Sequence, residues 1–342
     1  MLSLGIVGLP NAGKSTLFNA LTGASVLTAP YPFSTKNPNT GIFFLDDPYI
    51  HHLANHFRSR YVFPPSVTLI DIAGLIKGAH KGEGLGNLFL SHISAVDAII
   101  YVLDAYQTTS NTDITNSLKI LLYELAMHDL SIIEKHKKTL KNLSITRNKT
   151  ALEEYHFFEK YHNFLLNENF MKGPYQYDDL SEKRIIKKWQ FLTAKPAIIL
   201  LNTGDDHAPH IKEILSYAFK EIPVLHCNAL LLEEIREMPL SEKTDILKDT
   251  TFPDFFTTLS TTIKNVSNTI TFYTCNQNES RGYLIPANTP VIEAASIIHS
   301  DFARKFVKAE VISAPLFLQG NKPQIYGKDY IVRDYDLIYI RI

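Results

Sequence analysis

The chain is poor in cysteine and tryptophan and has almost no net charge: 2 Cys, 1 Trp, and 34 Lys+Arg against 35 Asp+Glu in 342 residues. Cys227 and Cys275 stand far apart, without the paired spacing of a zinc site or a disulfide framework, so a reducing cytosol suits them. A net charge of −1 excludes a global basic field that would draw the whole molecule onto nucleic acid. Any RNA contact therefore falls to local patches. Long apolar runs are also missing. Stretches such as Ala98-Ile99-Ile100-Tyr101-Val102-Leu103 fall well short of the ~20 residues that span a bilayer. The first residues run straight into a core strand, which leaves no room for a signal peptide. A cytoplasmic monomer without a membrane partner is expected, and a chain of this length with 45% hydrophobic residues can fill two or three domains.

What is present is Gly8-Leu9-Pro10-Asn11-Ala12-Gly13-Lys14-Ser15, a full match to the phosphate-binding loop G-x-x-x-x-G-K-[ST]. Leu4 to Val7 reads as a buried parallel strand before it, and Ser15 to Leu21 opens a helix after it, which is the context the motif needs. Loop amides, those of Asn11, Ala12, Gly13 and Thr16 included, can point at the phosphates, and the helix start adds partial positive charge. Lys14 would reach the β- and γ-phosphates, and the Ser15 hydroxyl would ligate Mg²⁺.

The Pro-rich polar stretch from Ala29 to Gly41 reads as a loop at the position of a nucleotide switch. Thr35 is its candidate for completing the Mg²⁺ shell when a γ-phosphate is present. Val67 to Gly74 is an apolar strand ending in Asp-x-x-Gly, roughly 55 residues after the loop. Asp71 can hold Mg²⁺ through water, while the Gly74 N–H can meet the γ-phosphate. The residue after Gly74 is Leu75, where a Ras-type GTPase carries the glutamine that orients water. Gly78 to Gly86 is glycine-rich and reads as a second switch. The helically spaced His51, His52 and His56 have no carboxylate or cysteine at a zinc-site spacing and read as an exposed helix face.

The phosphate loop, Tyr31-Pro32-Phe33-Ser34-Thr35, and the run from Asp71-Ile72-Ala73-Gly74-Leu75 through Leu85-Gly86-Asn87 resemble the YchF family of Obg-like ATPases, within the translation-factor-related P-loop NTPases. The resemblance covers most of the chain. It implies a G-domain-like α/β P-loop NTPase with an inserted helical coiled-coil arm and a C-terminal β-grasp TGS domain. It also implies slow, Mg²⁺-dependent ATP hydrolysis, a hydrophobic residue (here Leu75) in the glutamine position, and association with ribosomes. Two departures from the family stand out. The histidine-bearing loop of some members has no counterpart after Gln107, with His80 a weak substitute, and Asp334-Tyr335-Asp336 has no central glycine, so a different turn type is expected there.

The expected domains are residues 1–112 and 191–267 for the nucleotide-binding domain, 113–190 for the arm, and 268–342 for the TGS domain. In the arm, Leu118, Leu121, Leu122 and Leu125, then Leu152, Tyr155, Phe158, His162 and Leu165, recur at helical spacing on either side of a basic tip from Lys135 to Asn148. The strand ending at Asn202-Thr203-Gly204-Asp205 carries the base-reading loop, and Cys227-Asn228-Ala229 follows a second strand where backbone groups contact the base. Thr203 replaces the lysine of a GTPase loop. Asp205 is the acid that GTPases use, which leaves GTP open beside ATP. A K⁺ ion held by the Asn11 side chain is a candidate source of charge in place of an arginine finger. The alternatives to an ATPase are a GTP-binding translation-factor-like enzyme and a regulatory binding protein that nucleotide only stabilises. The tip Lys135 to Lys141, with Arg304, Lys305 and Lys308, is the expected cationic surface for RNA.

Overall fold

A computed structural model describes residues 1–23, 39–72, 85–105, 111–145, 148–177, 179–204, 215, 218–238 and 252–342. Thr35, Gly74, Leu75, His80 and Asp205 lie outside them. In chain order the elements are β1 (Ser3–Val7), α1 (Lys14–Thr22), β2 (Asn39–Phe44), α2 (Ile50–Phe57), β3 (Tyr61–Phe63), β4 (Ser66–Asp71), α3 (Leu85–Ala95) and β5 (Ala98–Ala105). The helices α4 (Asn111–Ile145), α5 (Lys149–Leu166) and α6 (Leu180–Trp189) follow, then β6 (Ala197–Thr203), β7 (Val224–Cys227), α7 (Ala229–Glu237) and α8 (Phe252–Val266). The chain closes with β8 (Thr269–Cys275), β9 (Glu279–Pro286), α9 (Val291–Ile298), α10 (Ser300–Arg304), β10 (Lys308–Ser313), α11 (Ala314–Leu318), β11 (Gln324–Tyr326) and β12 (Asp336–Arg341).

Two compact units result, one of Ser3–Gly41 with Leu69–Ile246, the other of Met1–Leu2, Ile42–Thr68 and Leu247–Ile342. The sheet that carries the phosphate loop has the order β2-β4-β1-β5-β6-β7, with β1, β5, β6 and β7 paired in parallel. Strands β5 and β6 are almost wholly buried because their unbroken apolar runs suit a sheet covered on both faces. In α4, Ile114, Leu118, Leu121, Leu122 and Leu125 are buried at helical spacing.

The arm departs from the expected two-helix hairpin. Lys135 to Lys141 lie inside α4, and Asn148, in the link between α4 and α5, is the N-cap of α5, accepting a bond from the Ala151 N–H at 3.1 Å. The buried face of α5 is also rotated from the expected seam. Leu152 is 41% exposed, while Ala151, Glu154, Phe157, Phe158, Tyr161 and Leu165 are buried. The cause is an additional layer: Tyr161 packs tilted against Phe191 at 4.5 Å and Phe158 packs edge-on to Trp189 at 5.1 Å, so the face must be wider than a two-helix seam.

The other unit is a mixed sheet in the order β11-β10-β12-β8-β9-β3. The β8–β9 hairpin, the helices after it and the parallel pairing of β12 with β8 make the β-grasp. The helical stretch from Val291 to Arg304 is split at His299, whose backbone is extended (φ −162°) and whose Nδ1 caps α10 by accepting the Asp301 N–H at 3.2 Å. Residues 42–68, grouped by sequence with the nucleotide-binding domain, fall in this unit, although β2 and β4 at the two ends of the segment pair in the phosphate-loop sheet. There β3 pairs in parallel with β9, and Asp47 starts α2 by accepting the Tyr49 and Ile50 amides at 3.0 and 2.8 Å. The same carboxylate takes the Tyr273 hydroxyl at 2.9 and 2.8 Å. On α2, His51, His52 and His56 are all exposed, and the His56 ring also packs edge-on to Phe57 and Phe317.

The turn before β12 overturns one expectation. Tyr335 itself takes the left-handed conformation, at φ +67°. The surroundings hold it. Its N–H donates to Thr271 O at 2.7 Å, its carbonyl accepts the Ala314 N–H at 2.8 Å, Lys264 Nζ sits 4.2 Å from the ring centroid, and Tyr49 meets the ring edge-on at 5.0 Å. Flanking Asp334 accepts from Lys264 Nζ at 2.8 Å and from the Thr271 N–H at 2.7 Å.

Candidate nucleotide-binding site

The phosphate loop joins β1 to α1 at the carboxyl end of the parallel sheet, where ligands of open α/β sheets bind. Its two fixed glycines answer to close neighbours. A Cβ on Gly8 would lie 2.5 Å from Val102 O in β5, and one on Gly13, at φ +86°, would lie 2.3 Å from Asn202 Nδ2 in β6. Asn11 is also left-handed, at φ +66°. Gly13 caps α1 with no side-chain bond, and the first turn holds no acid. The amides at the helix start are thus available to an anion.

Lys14 is 7% exposed, and its Nζ donates to Leu9 O at 2.8 Å. Burial lowers its pKa, opposed by the Asp71 carboxylate. The Ser15 hydroxyl donates to Asp71 Oδ2 at 2.8 Å across the gap between α1 and β4. A hydroxyl and a carboxylate converging beside the loop form a hard-oxygen donor pair that fits Mg²⁺, which keeps several waters and takes phosphate oxygens as its remaining ligands. The residues that sequence assigned to phosphate and metal thus meet, in the cases of Lys14, Ser15 and Asp71.

On the base side, most of the named groups are engaged by the protein itself. Asn202 Nδ2 donates to Ala12 O at 3.3 Å, and its Oδ1 accepts the Ala229 N–H at 3.0 Å. Asn202 is therefore a brace that ties the phosphate loop to the start of α7. One N–H and one lone pair of its amide remain, which suit adenine and guanine equally. Thr203 is buried, its hydroxyl 3.5 Å from Cys227 O, and Asn228 caps α7 by accepting the Leu231 N–H at 3.0 Å. Burial pushes the Cys227 thiol up. Sequence reasoning assigned Asn202 to the base. The contact of Gly13 with Asn202 was the missed signal, because it becomes readable only once β6 is placed beside the loop.

The model of the 50S ribosome-binding GTPase family matches residues 3–148, and that of the YchF GTPase C-terminal family, described as a protein of unknown function, matches residues 269–342. Ribosome-binding ATPase YchF of Haemophilus ducreyi is 34% identical over 362 residues, covering 98% of each chain. The chain belongs to the YchF family. Ribosome-binding ATPase YchF of Bacillus subtilis is 33% identical over 99% of each chain. A solved structure of Schizosaccharomyces pombe YchF GTPase matches with a TM-score of 0.82 at 29% identity, covering 99% of this chain and 97% of that one. The YchF architecture of a P-loop α/β domain with a β-grasp C-terminus is thus the fold of this chain. The relatives' names divide between ATPase and GTPase.

Proposed function

We propose that this YchF protein is a Mg²⁺-dependent nucleoside triphosphatase that turns over slowly, prefers ATP and acts at the ribosome. The observation that carries the reading is the Ser15–Asp71 pair beside the buried Lys14, at the uncapped start of α1. Loop amides and the helix start would bind the phosphates, and Lys14 would exchange its bond to Leu9 O for phosphate oxygens. Ser15 and Asp71, joined by Thr35, would hold Mg²⁺, which when bound neutralises charge on the β- and γ-phosphates. Gly74 would position the γ-phosphate, and Leu75 cannot orient water, which supports a low intrinsic rate. K⁺ held by Asn11 belongs to the same reading.

For the base, guanine selection needs a carboxylate on N1–H and N2–H₂, and Asp205 is the sequence's candidate. Asn202 held as a brace and Thr203 in the place of the GTPase lysine support ATP over GTP, and on this reading Asp205 would not serve the base. Calorimetric titration with ATP and GTP, with Mg²⁺ and with EDTA, tests this. ATP should bind more tightly and lose affinity with EDTA, and phosphate release should vanish in Lys14→Ala. Tighter GTP binding that Asp205→Ala reverses would replace the ATPase by a GTPase. Binding without any turnover would leave a nucleotide-stabilised binding protein.

The names of the relatives support the ribosome as partner. On α4, Lys135, Lys138 and Lys141 are cationic, and Lys137 pairs with Glu159. On α6, Lys183, Arg184, Lys187 and Lys188 form an exposed stripe that the sequence reading passed over. Arg304, paired with Asp301, Lys305 and Lys308 add charge in the β-grasp unit. Binding to RNA through such groups should weaken steeply with salt.

A further inference from the structure

The turn 190–195, between α6 and β6, receives a buried carboxylate from the arm and extends an ammonium to the end of α3. Asp129, midway along α4 and fully buried, accepts the Leu192 N–H on Oδ1 at 2.9 Å. Its Oδ2 accepts the Thr193 N–H at 2.9 Å and lies 2.8 Å from Thr193 Oγ1 and 3.1 Å from the Tyr161 hydroxyl of α5. From the other side of the turn, Lys195 Nζ donates to Ser94 O at 3.1 Å and Val96 O at 2.5 Å. The Ser94 hydroxyl also donates to Gln190 Oε1 at 2.5 Å, and Gln190 ends α6 in the left-handed conformation at φ +54°. Phe191 and Leu192 fill the core between these anchors.

Carbonyls at a helix C-terminus carry partial negative charge and lack helical partners, so an ammonium held there fixes the position of the helix end. The opposite end of α3 continues from residues 73–84, which include Gly74 and Leu75 and follow Asp71. A shift of the arm against the turn would strip the buried Asp129 of its hydrogen bonds, and a shift of α3 would strip those of the half-buried Lys195, both of which are unfavourable.

We infer that the turn 190–195 is a joint that makes the helical arm and α3 move as one body, with Asp129 and Lys195 as its positioning residues. A partner seated on the arm then acts on hydrolysis by placing α3, and a change at the γ-phosphate reaches the arm by the same route, as linkage requires. The part concerning hydrolysis rests on the ATPase reading; the mechanical part does not.

Hydrogen exchange on the nucleotide-free full chain tests the joint first. Asp129→Asn should speed exchange at least tenfold at the Ser91–Val96 amides, on the far side of the turn, while α1 stays protected. Lys195→Met should do the same to α4 around Asp129, and Lys195→Arg should restore protection. Should Asp129→Asn not fold, Thr193→Val probes the same anchor by removing one hydroxyl. Faster exchange confined to each variant's own neighbours would overturn the proposal. Kinetics give a separate arm: Lys195→Met should lower kcat at least threefold with the Kd for ATP held within twofold, whereas a parallel loss of affinity would mean a merely structural role. Trp189, the single tryptophan, packs on His136 one residue before the turn. Its emission should respond to ATP in wild type and not in Lys195→Met; an unresponsive wild type with ATP bound also overturns the joint. Absence of ATP binding in calorimetry would instead sink the ATPase reading, with the exchange result still deciding the joint.

Discussion

The start of α1 and the turn before β12 both need a residue in the left-handed region, and they meet that need in opposite ways. At Gly13 the space is closed: Asn202 Nδ2 stands 2.3 Å from where a Cβ would be, so only glycine fits. At Tyr335 the side chain has room and the contacts around it hold a conformation that tyrosine alone disfavours. A left-handed residue can therefore be imposed by exclusion at a binding loop or by surrounding bonds in a framework. Sequence shows only the first, because the second is spread over Lys264, Thr271, Ala314 and Tyr49.

The largest expected effect comes from filling the closed position. Gly13→Ala should weaken ATP binding by a factor of about 100 or more, since it displaces Asn202 and the loop amides together, and should destabilise the fold by about 1–3 kcal/mol. Calorimetry and denaturant unfolding measure the two. Next is Asp334→Ala. The exposed part of its pair with Lys264 is screened, so the main loss is the unpaired Thr271 N–H, about 1–2 kcal/mol in chemical denaturation with ATP affinity unchanged. A smaller effect separates two substitutions of Tyr335. Both lose the ring contacts, but Tyr335→Ala keeps the backbone strain and should be less stable than Tyr335→Gly by about 1 kcal/mol. Equal stability would mean that the turn relaxes in the variants.

The smallest difference concerns the thiols, one in each unit. Both Cys227 and Cys275 are buried, and native protein at pH 8 should react with neither when treated with a thiol reagent, while unfolded protein reacts with both. Burial raises Cys275 from its ordinary 9.0 to about 11. Between these values the folded thiol keeps a proton that the unfolded one has lost, so stability should fall as pH rises through that window. A pH series of unfolding midpoints in wild type and Cys275→Ala checks it.

The phosphate loop, β5 and β6 were legible in the sequence because a fixed motif and unbroken apolar runs report local physics. The seam of α5 was not, since its wide aromatic face answers to Phe191 and Trp189, which lie far along the chain. Asn202 was legible as a site residue but not as a brace, because its partners Ala12 and Ala229 become neighbours only through sheet order. The same holds for Asp129 and Lys195: a charged residue, in a helix or in a turn, reads as a solvated face until its partners are seen. The placement of residues 42–68 was hidden for the opposite reason, that a three-residue strand such as β3 carries too little periodicity to announce its sheet.

The bond between Asp47 and Tyr273 joins residues 226 positions apart. At the usual ~5–20 residues per second of synthesis, the segment holding Asp47, Ile50 and Leu53 leaves the ribosome on the order of 10–45 s before its partner strand exists. The phosphate-loop sheet can be assembled in that interval, but the β-grasp cannot, since an edge strand and a helix of its fold are translated early and its centre is translated last. Chains released before Tyr273 would carry Ile50 and Leu53 as uncovered apolar surface, so a complete translation product is a condition for hiding a segment made near its start.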